Sequence, residues 1–154
     1  MEPTFKPAEA SDAEALLPMI RALCEHDGTP FDERSVAGAL AQVVADERLG
    51  RVWLIESGGE AAGYIVLTFG FSLEFGGRDA FVDELYVRAE FRGRGLGRRA
   101  IELAEQACRE RGVRALHLEV ERANARAQEL YRRSGFRDHD RYLMTKRLEP
   151  EMMN

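Results

Sequence analysis

Few residues in this chain invite cross-linking or metal binding. Its two cysteines, Cys24 and Cys108, are too few for a disulfide framework or a thiolate metal cluster in a chain of 154 residues. They read as two reduced thiols on helices. The three histidines, His26, His117 and His139, lack metal-ligand spacing, and no metal is implied. No apolar run approaches the roughly 20 residues of a membrane-spanning helix. The first fifteen residues lack the basic start and apolar stretch of a signal peptide, so a soluble cytoplasmic protein is expected. There is no basic excess either: 22 Lys and Arg stand against 27 Asp and Glu, for a net charge of -5. That balance argues against a general nucleic-acid binder and suits a neutral or cationic partner. Repeats, low-complexity tracts and interdomain linkers are absent, so residues 1–154 are expected to form one domain.

Hydrophobic periodicity is present throughout. A short strand is expected over Thr4 to Ala8. A helix follows from Ser11, whose spacing to Glu14 suits a capping box, with Leu16, Met19, Ile20 and Leu23 recurring on one face. A second helix is expected from Asp32 to Ala45. Arg51–Glu56 and Ala61–Phe69 read as strands joined by the turn Ser57-Gly58-Gly59-Glu60. Gly76-Gly77 then separates a third β-rich run, Ala80 to Val87. A helix over Leu96–Arg111 and a strand over Ala115–Val120 complete a parallel crossover. A short helix spans Ala125 to Arg133, and a final strand is expected over Tyr142–Leu148. The fold class is α/β: one mixed, mostly antiparallel sheet with a central parallel strand pair and helices on both faces.

The strongest local signal is Arg92-Gly93-Arg94-Gly95-Leu96-Gly97-Arg98-Arg99, between a strand and a helix. Its glycines permit close backbone approach, the helix start offers unpaired amides, and the arginines add positive charge in an acidic chain. A diphosphate is the ligand this pattern suits. A Walker A loop would need Gly-Lys followed by Ser or Thr, and the dinucleotide fingerprint would need G-x-G-x-x-G. Neither is present.

Phe81-Val82-Asp83-Glu84-Leu85-Tyr86-Val87 with Arg92, Gly95 and Gly97 resembles the coenzyme strand and pyrophosphate loop of the GCN5-related N-acetyltransferases. Asn124, Ala127, Leu130-Tyr131 and Gly135-Phe136 resemble a second motif of that family. The resemblance covers the C-terminal half of the chain and implies acetyl-CoA as co-substrate, lying between two parallel strands. It implies that the backbone near Leu85, Tyr86 and Val87 holds the acetyl and pantetheine part. The loop residues Arg92, Gly93, Arg94, Gly95, Leu96, Gly97 and Arg98 would hold the pyrophosphate. Asn124 resembles the asparagine on the pantetheine side, and it also reads as a helix cap before Ala125. Tyr131 resembles the tyrosine beside the coenzyme sulfur, where a phenol protonates the departing thiolate.

An ammonium must lose a proton before it can attack, and Asp83, Glu84 and Glu119 are the acids near the expected centre. Strand alternation puts Asp83 and Glu84 on opposite faces, and the choice of base between them stays open. The segments Cys24-Glu25-His26-Asp27 and Phe69–Phe75 resemble the diamine (spermidine/spermine) acetyltransferase group, although Leu73-Glu74 replaces a more aromatic stretch. Glu25, Asp27, Glu74 and Asp83 are therefore expected around a small cationic amine. A protein or peptide acceptor, or a non-catalytic acetyl-CoA-binding module, is the alternative. A homodimer is expected from family habit.

Overall fold

In the computed structural model, which describes residues 2–149, the β-rich runs build one five-stranded sheet in the order β1-β2-β3-β4-β5. The strands are β1 (Thr4–Pro7), β2 (Gly50–Ser57), β3 (Glu60–Ser72), β4 (Gly77–Val87) and β5 (Ala115–Leu118). The β2–β3 turn forms at the expected glycines, because Gly58 and Gly59 adopt φ of 61° and 82°, which L side chains resist. β1 to β4 pair antiparallel, and β4 pairs with β5 in parallel.

β3 is apolar on both sides because both are covered. Its residues Ile65 and Leu67, with Trp53, Ile55, Ala80 and Val82, pack against Ile101, Ala104, Ala107 and Cys108 of α3 (Leu96–Glu110). Tyr64 and Val66, with Val52 and Leu54, pack on the opposite face. Their partners there are Leu16, Met19 and Ile20 of α1 (Ala13–Asp27) and Leu40 of α2 (Glu33–Ala45). The last helix, α4 (Ala125–Arg133), adds Tyr131 to the α3 side. Both cysteines are free and lie on helices, and burial pushes the Cys108 thiol up to about 11.

Three local expectations need correction. A 3-10 turn over Ala10–Asp12 precedes α1, and the Glu9 amide donates to Asp12 Oδ2 at 2.7 Å, so the capping contact forms earlier than at Ser11 and Glu14. β5 stops at Leu118 instead of Val120. The run Tyr142–Leu148 joins no ladder, and Tyr142, Leu143, Met144 and Leu148 are exposed. Alternating apolar residues suit a strand, but a strand also needs an edge to pair with. Here Arg141 is drawn to Glu74 by two hydrogen bonds of 2.9 and 2.8 Å, and Arg122 lies over the Tyr142 ring. The parallel pair consequently stands at the edge of the described sheet and not at its centre.

Candidate active site

The parallel ladder pairs Asp79 with Ala115 and ends at Val82 opposite Leu118. β4 continues to Val87 against β3 alone, so the two parallel strands part at Val82 and leave one edge of Asp83–Val87 without a strand partner among the described residues. Unpaired main-chain groups on such an edge are available to an extended ligand.

The parting coincides with a bulge. Val66 pairs with Glu84 and Leu67 with Val82, so Asp83 is the extra residue on β4. A bulge resets alternation. Val82 and Leu85 both contact the α3-side cluster although three positions separate them, and Glu84 turns to Tyr64 on the α1/α2 side. The expected division of Asp83 and Glu84 between opposite faces therefore fails: with Val82 and Leu85 both on the α3 side, the two residues between them fall on the other.

Tyr64 is fully buried, and its hydroxyl donates to Glu84 Oε1 at 2.8 Å. Burial first, then the charge of Glu84, holds the phenol well above its ordinary value. Desolvation raises the Glu84 carboxyl too. The Tyr64 hydrogen bond opposes that shift, and the negative charges of Asp83 and Asp27 add to it. Desolvation likewise raises Asp83. Two adjoining carboxyls with increased proton affinity, one oriented by a buried phenol, can attract a cation and accept a proton.

Glu25 is an exposed partner of Arg21 at 3.8 Å, Glu74 is taken by Arg141, and Glu119 is exposed past the end of β5. Asp27, at the end of α1, contacts His26 at 3.3 Å and reaches Glu84 electrostatically.

Beyond β4, a 3-10 turn over Ala89–Phe91 leads into the glycine loop. Gly93 and Gly95 adopt φ of 78° and 77°, and a Cβ at either would project into open space. Gly95 is the N-cap of α3, leaving the first amides of Leu96, Gly97 and Arg98 without intrahelical acceptors. The Leu96 side chain is buried, so only its main chain can face a ligand. Gly97 packs towards Leu85, placing the helix start against the bulged strand. Arg92 Nε donates to the Val87 carbonyl at 2.8 Å, and its guanidinium lies 5.8 Å from the Tyr86 ring centroid. Arg94 folds over Phe91, while Arg98 is exposed. This cradle fits a diphosphate: main-chain donors at a helix start, no Cβ in front of them, and cations at the rim.

Asn124 caps α4, its Oδ1 accepting from the Ala127 amide at 3.1 Å, as the cap reading expects. Tyr131 is half-buried and edge-on to Phe136 at 6.0 Å, and desolvation raises its phenol, which keeps the proton on at neutral pH. Sequence reasoning missed the Tyr64–Glu84 bond and the contact of His117 with Asp79 at 3.2 Å. A tyrosine inside the apolar β3 run was the only hint of the first. The second depends on parallel register, which no local pattern carries.

The sequence profile described as the Acetyltransferase (GNAT) family matches residues 18–136, and the chain belongs to that family. The chain is 33% identical over 76 residues to a thialysine N-epsilon-acetyltransferase of Bos taurus, covering 49% of this chain and 44% of that protein. It is 34% identical over 71 residues to the uncharacterized N-acetyltransferase YycN of Bacillus subtilis (strain 168), covering 46% and 45%. These matches span less than half the length of either curated relative. An integron cassette protein from the mobile metagenome of Cole Harbour Salt Marsh superposes with a TM-score of 0.83 at 35% identity, covering 96% and 91% of the two chains. A predicted acetyltransferase with acetyl-CoA from Clostridium acetobutylicum shares the fold, with a TM-score of 0.80 at 16% identity and coverage of 94% and 96%.

Proposed function

We propose that this chain, as one N-acetyltransferase domain over residues 1–154, transfers an acetyl group from acetyl-CoA to a small primary amine by direct attack. The observation that carries the reading is the bulge at Asp83, which brings two carboxyls of raised proton affinity to the point where β4 and β5 part.

Acetyl-CoA, when bound, supplies an activated thioester. The Leu96, Gly97 and Arg98 amides, with Arg92 and Arg94 at the rim and Gly93 and Gly95 in front, would hold its pyrophosphate. The free edge at Leu85, Tyr86 and Val87 would take the pantetheine arm, beside Asn124, and a main-chain amide there would donate to the carbonyl oxygen as charge develops. Glu84 or Asp83 receives the ammonium proton, directly or through water. The raised values favour this role because they bring a carboxylate closer to the operating pH. Tyr131, protonated at neutral pH, donates to the leaving sulfur.

The acidic surroundings of Asp27, Asp83 and Glu84 support a cationic amine as acceptor, and the thialysine acetyltransferase relatives favour a small one. A thiol-release assay tests the reading against thialysine, lysine, spermidine, putrescine, n-alkylamines, amino sugars and a basic peptide. Saturable release with one acetyl gained by a small amine supports it. Acetylation of the peptide alone favours a protein acceptor, and acetyl-CoA binding without any acetylated amine favours a non-catalytic module. We further read the chain as a cytoplasmic homodimer. The exposed apolar run at Tyr142, Leu143 and Met144 supports self-association, and light scattering on the purified protein tests it.

A further inference from the structure

On the α1/α2 side of the sheet, helices cover Tyr64 and Val66 of β3, but past Glu84 the same face of β4 emerges from under them. Ala80 and Val82 point to the α3 cluster, so Asp79 and Phe81 alternate to the opposite face, on which Glu84 meets Tyr64. Phe81 is 42% exposed and stands two residues, about 7 Å, from Asp83 along the strand. Its ring lies 4.9 Å from that of His117, its register partner on β5, and the Phe75 ring meets His117 in a tilted contact, also at 4.9 Å. Neighbouring β3 offers only Thr68 and Gly70 opposite Phe81 and Asp79, and Gly70 leaves room for the Asp79 carboxylate. The result is an open shelf of Phe81, His117 and Phe75 continuing from the carboxyl pair.

The acids along this shelf already have side-chain partners. Asp79 is nearly buried and bonds His117 Nε2 at 3.2 Å. Glu74, the acid at the far end, is held in a two-bond pair with Arg141, and His139 stands beside Phe75. Cation-seeking groups therefore sit at the bulge, while the far end offers aromatic surface and no unpaired carboxylate among these residues. We propose that the acceptor site continues along this shelf and selects a primary amine bearing an apolar arm over one bearing a second cation at its far end.

The inference rests on the acetyl-transfer reading above and fixes the acceptor class within it. Two probe sets test it: the n-alkylamines from propylamine to hexylamine, and hexylamine against 1,6-diaminohexane, which has the same chain but ends in a second ammonium. On a half-open shelf kcat/KM rises about two- to threefold per methylene, somewhat below the value for full burial of each CH2. Hexylamine exceeds the diamine by about tenfold, the cost of placing a cation where it finds no partner. Phe81→Ala flattens the series. Arg141→Ala, an exposed change that frees the Glu74 carboxylate, narrows the gap between diamine and monoamine several-fold. Thermal unfolding confirms that each variant is folded, and should Phe81→Ala not fold, the wild-type series and Arg141→Ala decide. A flat series, a diamine equal to or better than hexylamine, or turnover of other amines with none of the alkylamines overturns the inference alone. Failure to acetylate any amine in the wider panel overturns the acetyl-transfer reading itself, and the two failures are thereby distinct.

Discussion

Replacing Glu84 separates its chemical role from its structural one. The Tyr64 hydroxyl is fully buried and donates to Glu84 Oε1 at 2.8 Å. Glu84→Gln keeps an oxygen that can accept this bond and removes the charge. Glu84→Ala removes the acceptor and strands the hydroxyl, at a cost of about 1–3 kcal/mol. For a domain of this size that corresponds to a Tm lower by roughly 2–12 °C, at about 2–4 °C per kcal/mol. The pH dependence has a definite sign. Desolvation raises the folded-state Glu84 carboxyl above its ordinary value, so the folded state binds more protons than the unfolded state between the two values. Stability from this group therefore falls as pH rises through that window. Glu84→Gln removes that fall, and relative to wild type it gains stability on going from acid towards neutral pH. With Glu84 as the base its kcat nevertheless drops about 10²- to 10⁴-fold, the usual worth of a general base, whereas with Asp83 as the base Asp83→Asn shows that loss instead. Thermal unfolding from pH 4 to 8, paired with thiol release at neutral pH, reads both. If Glu84→Gln loses stability in parallel with Glu84→Ala, and both it and Asp83→Asn retain kcat within a few-fold, the reasoning from the buried bond and the raised carboxyl is refuted.

Further expectations concern the coenzyme side. Gly95→Ala places a Cβ on a residue at φ 77°, costing about 1–2 kcal/mol and straining the loop that presents the α3 amides, so KM for acetyl-CoA rises at least several-fold. A KM unchanged in steady-state kinetics would remove this loop from the phosphate site. Tyr131→Phe keeps the packing on Phe136 and loses the proton donor, so kcat falls about 10²-fold or more while acetyl-CoA affinity measured by calorimetry stays within about threefold. Asn124→Ala breaks the cap of α4 and lowers stability by about 1 kcal/mol in denaturant unfolding, whereas Asn124→Asp, which can still cap, loses less.

Elements decided by local chemistry were legible in the sequence. The Gly58-Gly59 turn, the helix start after Gly95 and the Asn124 cap each depend on residues close together in the chain. What was not legible depends on pairing across the sheet. The bulge at Asp83 exists only in relation to Val66 and Leu67 on β3, so strict alternation misassigned the carboxyl pair. The Asp79–His117 contact requires the parallel register of β4 and β5. The expected strand at Tyr142–Leu148 has the right composition, but the chain before it is committed to Glu74 through Arg141. The arginine partners of Glu25 and Glu74 were likewise not legible, Arg141 lying far from Glu74 along the chain.

The central claim is direct acetyl transfer to an amine at the β4 bulge. A single-turnover reaction tests it most directly, with excess protein over acetyl-CoA in the presence of the fastest amine, quenched in time and read by mass spectrometry of both amine and intact chain. The account predicts one acetyl group on the amine, formed at the rate of thiol release, and no acetyl adduct on the chain at any time. A transient acetyl adduct on the chain, at Cys24 or elsewhere, or thiol release that yields only acetate, would contradict it.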